Sequence, residues 1–312
     1  MDQAPRHFRA SRSHPARRTL LLAGAAATIM ATKALTQQDQ PIPDLRQSES
    51  SPASGNVGSD QETPSPQVAE TSMQIGTAAS RSPSRLEIVT SYAGRSPRYW
   101  GLEAPGVLTH LAAGSEGIAL TVDFCGGPGG NDYDSALITA LRDRHIPATL
   151  FLNSRWITAN IETARQLAVD PLFELANHGT SHLPLSTAGK SAYGITGTQN
   201  PGEVYDEVMT NTSVLAQLTG ISPRLFRPGT AYLDEVAANI VKALGMTPTG
   251  FSINADGGAT YPAATVASET SKARSGDIII CHGNHPGSGT AEGLMRALDT
   301  IAARGLLFVH LD

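Results

Sequence analysis

Residues 172–182 read LFELANHGTSH, an apolar run at Leu172–Ala176 followed at once by His178 and His182. A run this short, ending in polar and glycine residues, fits a buried strand that delivers side chains from its carboxyl end. Similar runs recur on either side: Gly117–Asp123, Ala148–Leu152, Leu225–Phe226, Gly250–Ile253, Asp277–Cys281 and Leu306–Leu311. Between them lie segments with helical period, Asp134–Arg144, Glu203–Leu218, Asp234–Leu244 and Ala291–Arg304, with Gly245 and Gly305 as stops. Strand and helix alternate about seven times, and the strands are apolar on both faces. That pattern predicts an α/β fold with a mostly parallel sheet, either a closed or nearly closed barrel or an open doubly wound sheet. No Walker-type phosphate loop is present, and no GxGxxG opens a helix after a first strand.

The first 34 residues read as an export signal. Arg17-Arg18 precede an apolar stretch ending near Met30, the order expected of a signal peptide and, with paired arginines, of the twin-arginine route. Ala34 is a candidate cleavage point, which would place the protein in the periplasm or outside the cell. No apolar run reaches the roughly 20 residues of a spanning helix. Residues 35–85, rich in Gln, Ser, Pro, Thr and Gly, read as a disordered tether, and residues 86–312 as the catalytic domain. Removing residues 1–34 takes away six of 23 basic side chains and one of 28 acidic ones, so the net charge moves from -5 to -10. Such a body has no electrostatic route to nucleic acid, and a neutral substrate such as a sugar suits it better.

In parallel α/β folds, functional groups collect at the carboxyl ends of strands. The ends of these runs carry Asp123, then His178 and His182, Arg227, Asp256 and His282. Two histidines four apart can share a cation from one face of a helical turn, and with a carboxylate they form a water-activating site. Asp132 or Asp134 is better placed than Asp123 to cap the next helix. Arg227, between Leu225-Phe226 and Pro228-Gly229, points to an inward, paired role. His282, at the mouth of a buried strand, is placed for proton transfer.

Those motifs resemble the polysaccharide deacetylase family, the NodB-homology or family four carbohydrate esterases. The likeness runs over roughly residues 115–312, through ALTVD, ATLFLNSRWI, ELANHGTSH, LFRPGTAY, GFSINADGG and GDIIICH. It implies a distorted, incomplete (β/α) barrel, a divalent metal (zinc, with cobalt or a similar ion also possible) and removal of acetyl groups from N-acetylglucosamine units of peptidoglycan or a chitin-like polymer. It also implies Asp123 as base, His178 and His182 as metal ligands, Arg227 as the group orienting the base, His282 as general acid and Asp256 as the acid tuning it. The alternatives are hydrolysis of another amide or an O-acetyl ester on the same scaffold, and a cell-wall-binding protein with weakened catalysis. The oligomeric state is left open.

The chain departs from the family pattern. Phe124 stands where a second aspartate binds metal, RPGTAY replaces the usual arginine motif, and the fourth motif lacks its tryptophan. Four outcomes follow for the first motif. Asp123 itself ligates the metal, the preferred expectation; Cys125 supplies a thiolate; the site is metal-poor and weak; or Cys125 and Cys281 form a disulfide.

Overall fold

The computed structural model describes residues 81–311. The export signal and the tether up to residue 80 lie outside them. Helix α1 (Arg85–Tyr92) opens on a capping box, with the Ser84 hydroxyl accepting from Glu87 N–H and the Glu87 carboxylate accepting from Ser84 N–H. No described helix is long and apolar enough to cross a membrane.

Eight strands form the main sheet: β1 (Gly117–Phe124), β2 (Ala148–Leu152), β3 (Phe173–Asn177), β4 (Leu225–Phe226), β5 (Thr247–Pro248), β6 (Ile253–Asn254), β7 (Ile278–His282) and β8 (Leu307–Val309). Every pairing is parallel, in the order β6-β7-β1-β2-β3-β4-β5, with β8 paired to the start of β1. Helices carry the crossovers: α2 (Ser135–Asp143), α3 (Ser154–Ala159) and α4 (Ile161–Ala168), α5 (Pro201–Thr219), α6 (Glu235–Ala243), α7 (Ala263–Thr270) and α8 (Thr290–Ala303). Asp134 caps α2 by accepting from Leu137 N–H at 3.0 Å.

The link from β5 to β6 decides between the two predicted architectures. These are the opposite edge strands of the seven, yet only residues 249–252 separate them. Five residue steps reach at most about 18 Å, whereas seven flat strands would span about 29 Å. The sheet therefore curls until its edges approach, giving an incomplete barrel. The lead-in to β1 runs along the gap. Leu108 N–H donates to Pro248 O, Leu108 O accepts from Gly250 N–H, and Leu111 N–H donates to Gly276 O, each at 2.8 Å.

Strand alternation sorts the side chains. Ile118, Leu120, Val122 and Phe124 of β1 join the core shared with the helices, as do Ile279 and Cys281 of β7. Ala119, Phe151, Ala176, Leu225 and Ile278 cluster separately, with Leu108 and Phe251 against them. By the same alternation Thr121 and Asp123 fall on the side of Ala119.

Two local expectations needed correction. Gly250–Ile253 is mostly the link between barrel edges, so the strand there is Ile253–Asn254. Thr247–Pro248 pairs instead as an edge strand, where proline's missing N–H is tolerated. Helices α3, α4 and α7 have only six to eight residues, too few for a clear period in the sequence.

Candidate active site

Asp123 and His282 are lateral partners in the β1–β7 register, so two strand ends bring them side by side. Asp123 is 2 % exposed and Arg227 is fully buried. Arg227 Nη1 donates to Asp123 Oδ1 at 2.6 Å and to Thr121 Oγ1 at 2.9 Å, while Nη2 donates to Gly250 O at 2.7 Å. Its guanidinium also lies 4.2 Å from the centre of the Phe151 ring. A cation bonded through both terminal nitrogens holds one carboxylate oxygen fixed and leaves Oδ2 turned toward His178 Nε2, 3.6 Å away.

The two histidines do meet, with ring centroids 5.0 Å apart and planes nearly perpendicular. They do not share a helical turn, contrary to the spacing argument. Residues 178–182 form a loop in which Gly179 and His182 both take positive φ, and that reversal brings the rings together. His178 Nδ1 donates to Arg227 O at 2.9 Å, which presents Nε2 to the site. His182 Nε2 is buried without a hydrogen-bond partner. Gly229 explains part of the RPGTAY sequence: a Cβ there would fall 2.4 Å from His182 Cγ and its carbonyl carbon, so only glycine allows this approach.

Cys125 lies just beyond β1, with Sγ 3.7 Å from His178 Nε2. Cys125, His178 and His182 each offer a ligand atom, all within 4.8 Å of one another, and Asp123 is not a member of that set. A buried imidazole nitrogen lacking a partner, a second imidazole fixed by its far nitrogen and a thiol fit a borderline-soft cation such as zinc. Burial works against the Cys125 thiolate, yet His182, with His178 and His282, pulls the thiol well below its ordinary value. The disulfide option is corrected by alternation. Cys281 faces the helices, donates to Thr121 O at 3.5 Å, and both cysteines are free.

His282 Nδ1 donates to Asp256 Oδ1 at 2.9 Å, and its backbone N–H donates to Asp256 Oδ2 at 2.7 Å. Thr290 at the start of α8 donates to the same Oδ2 at 2.9 Å. Burial opposes the imidazolium, but Asp256 outweighs it and holds His282 well above the usual histidine range. Conversely, burial would raise Asp256, and His282 pulls it below the usual carboxylate value. The result is a histidine kept protonated near neutral pH and oriented by a buried carboxylate.

Asp123, Cys125, His182 and His282 share the wall of one cavity of about 540 Å³ with Tyr193 and Tyr261. Tyr193 sits at the tip of a two-stranded hairpin, Ser191–Ala192 with Ile195–Thr196, and packs edge-on against Tyr232 at 5.3 Å. His285 also lines this cavity.

Sequence reasoning missed what holds the histidine loop. Buried Glu207 of α5 accepts from the backbone N–H groups of Thr180, Ser181 and Leu183 at 3.0–3.1 Å. Asn153 donates to His178 O at 2.9 Å and Gly179 O at 2.8 Å, and Asn211 donates to Asn177 Oδ1 at 2.8 Å. The signal was present in α5: Glu207 and Asn211 interrupt the buried stripe of Val204, Val208 and Leu215.

Residues 111–249 match the family model for polysaccharide deacetylase. The match ends before Asp256 and His282. The uncharacterized protein YlxY of Bacillus subtilis is 23% identical over 177 residues, 56% of this chain and 51% of that protein, so the chain spans about half the length of the curated relative it matches. Among solved structures, a CE4 family pseudoenzyme from Bacillus anthracis is similar, with TM-score 0.55, 19% identity, and coverage of 66% of this chain and 67% of that one. A family 4 carbohydrate esterase from Streptomyces lividans, in complex with acetate, gives TM-score 0.52, 21% identity, and coverage of 64% and 95%. The shared fold is the incomplete parallel barrel described above.

Proposed function

We propose, for a chain that carries a polysaccharide deacetylase domain over residues 111–249, that the site hydrolyses N-acetyl groups of an N-acetylglucosamine-containing polysaccharide with a divalent cation held by His178 and His182. The observation that carries this reading is the convergence on one cavity of a fixed carboxylate, a carboxylate-backed histidine and His182, whose ring meets that of buried His178. A bound cation would polarise the acetamide carbonyl and make water easier to deprotonate.

The chain's own residues do the rest. Asp123, fixed by Arg227, accepts the proton of the attacking water at Oδ2. His282, charged and aimed by Asp256, gives its proton to the departing amine, which leaves poorly as an anion. Tyr193 and Tyr261 offer apolar faces for a sugar ring along the cavity wall.

One observation favours a second reading, a wall-binding protein with weakened catalysis. Phe124 occupies the position after Asp123 and packs 4.5 Å from Trp156 in the helix-side core, so no carboxylate enters the site there. A solved pseudoenzyme shares the fold. Acetate release from N-acetylglucosamine oligomers and from peptidoglycan, before and after chelation, separates the readings. Chelator-sensitive release supports deacetylation. Binding without release supports the wall-binding reading, and release from O-acetyl esters alone points to an esterase.

A further inference from the structure

The thiol of Cys125 lies between the end of β1 and the histidine loop. We propose that Cys125 is the third protein ligand of the cation, making a His-His-Cys site and leaving Asp123 off the metal as a base held by Arg227. The inference rests on the Proposed function and adds the identity of the ligand set.

Three observations carry it. First, Sγ stands 3.7 Å from His178 Nε2, and in a tetrahedral zinc site a thiolate and an imidazole nitrogen stand about 3.6 Å apart. Cys125, His178 and His182 form the compact donor set, which excludes Asp123. Second, Asp123 has another engagement: its Oδ1 is committed to a fully buried guanidinium at 2.6 Å. Third, the backbone around Cys125 is fixed. Gly126 takes φ +69, a Cβ there would fall 2.4 Å from the Trp156 backbone nitrogen, and Arg155 Nη2 donates to Cys125 O at 3.3 Å. The side chain is thereby held at the mouth of the site, on the side from which Phe124 is turned away.

Binding would form one metal–sulfur bond and release the thiol proton to solvent, with no change in oxidation state. A site with one thiolate favours zinc and cobalt over magnesium or calcium.

The test uses the full chain loaded with cobalt(II) and followed by electronic absorption. The wild type is expected to show a thiolate-to-cobalt charge-transfer band together with the visible bands of tetrahedral cobalt. Cys125→Ser should lose the charge-transfer band, and Cys125→Asp should bind cobalt without it. Should either variant fail to fold by circular dichroism, the wild type alone decides. Alkylation of the native protein reads Cys125, since Cys281 is fully buried, and stoichiometric zinc should slow it at least about tenfold. Cobalt bound with no charge-transfer band, or alkylation indifferent to zinc, overturns the assignment of Cys125 while leaving a histidine-held metal intact. Failure to bind any cobalt or zinc overturns both this assignment and the metal in the Proposed function.

Discussion

Arg227 Nη1 lies 2.6 Å from Asp123 Oδ1, with both side chains inside the barrel and almost without solvent contact. Around the ion pair, Nη1 also donates to Thr121 Oγ1, Nη2 donates to Gly250 O and the Phe151 ring lies against the guanidinium, while Nε is buried without a partner. Breaking such a pair from one side strands a buried charge. Arg227→Met should cost about 3–5 kcal/mol of stability, read as a lower urea midpoint. A loss under about 1 kcal/mol would show that the pair is not the closed unit described.

The Asp256–His282 pair sets the pH profile. A general acid must be protonated, and Asp256 raises the pH at which His282 loses its proton. The limb of the profile set by His282 should therefore lie on the alkaline side of neutrality. Asp256→Asn removes the raising charge, so the alkaline limb should move to lower pH. A profile of kcat against pH whose alkaline limb does not move would reject the pairing as functional. His282→Ala should lower kcat by about 10²–10⁴-fold with metal content unchanged.

Glu207 holds the histidine loop through three backbone N–H groups. Burial raises its pKa against the pull of Ser181, Leu183 and Thr180 N–H groups, which favour the charged form. Glu207→Ala should therefore loosen His182 and weaken metal affinity by about 10–100-fold, measured by competition with a chromogenic chelator. Unchanged affinity would reduce Glu207 to a packing role.

Tyr193 stands exposed at a hairpin tip beside the cavity. Tyr193→Ala should raise KM several-fold for oligomers, leave kcat within about twofold and change stability by under about 0.5 kcal/mol. An unaltered KM for long and short substrates alike would remove the hairpin from the binding surface.

Much of this arrangement was legible in the chain because strand ends in a parallel sheet are read from short apolar runs. Asp123, His178, Arg227 and His282 each follow such a run, and the register of β1 with β7 then pairs Asp123 with His282. The barrel's curl was implied by the motif resemblance and not by the apolar runs, since it depends on four residues joining opposite edges at Pro248 and Ile253. Nor was the way the histidines meet: spacing suggested a helical turn, whereas Gly179 and His182 form a reversed loop that Gly229 admits and Glu207 ties down. Loop conformation of that kind is set by contacts distant in sequence. The fate of the cysteines followed the same division. Cys125 and Cys281 are equivalent by their nearness to catalytic candidates, and only strand alternation puts one in the site and the other under the helices.

The measurement that bears most directly on the account is metal stoichiometry and acetate release determined together on one preparation, for the wild type and for His178→Ala/His182→Ala. The account predicts close to one equivalent of zinc or a similar ion and acetate release from N-acetylglucosamine oligomers in the wild type, with both lost in the variant. Release that survives in the metal-free variant, or a wild type that binds its equivalent of metal and releases no acetate from any N-acetylglucosamine polymer, would contradict it.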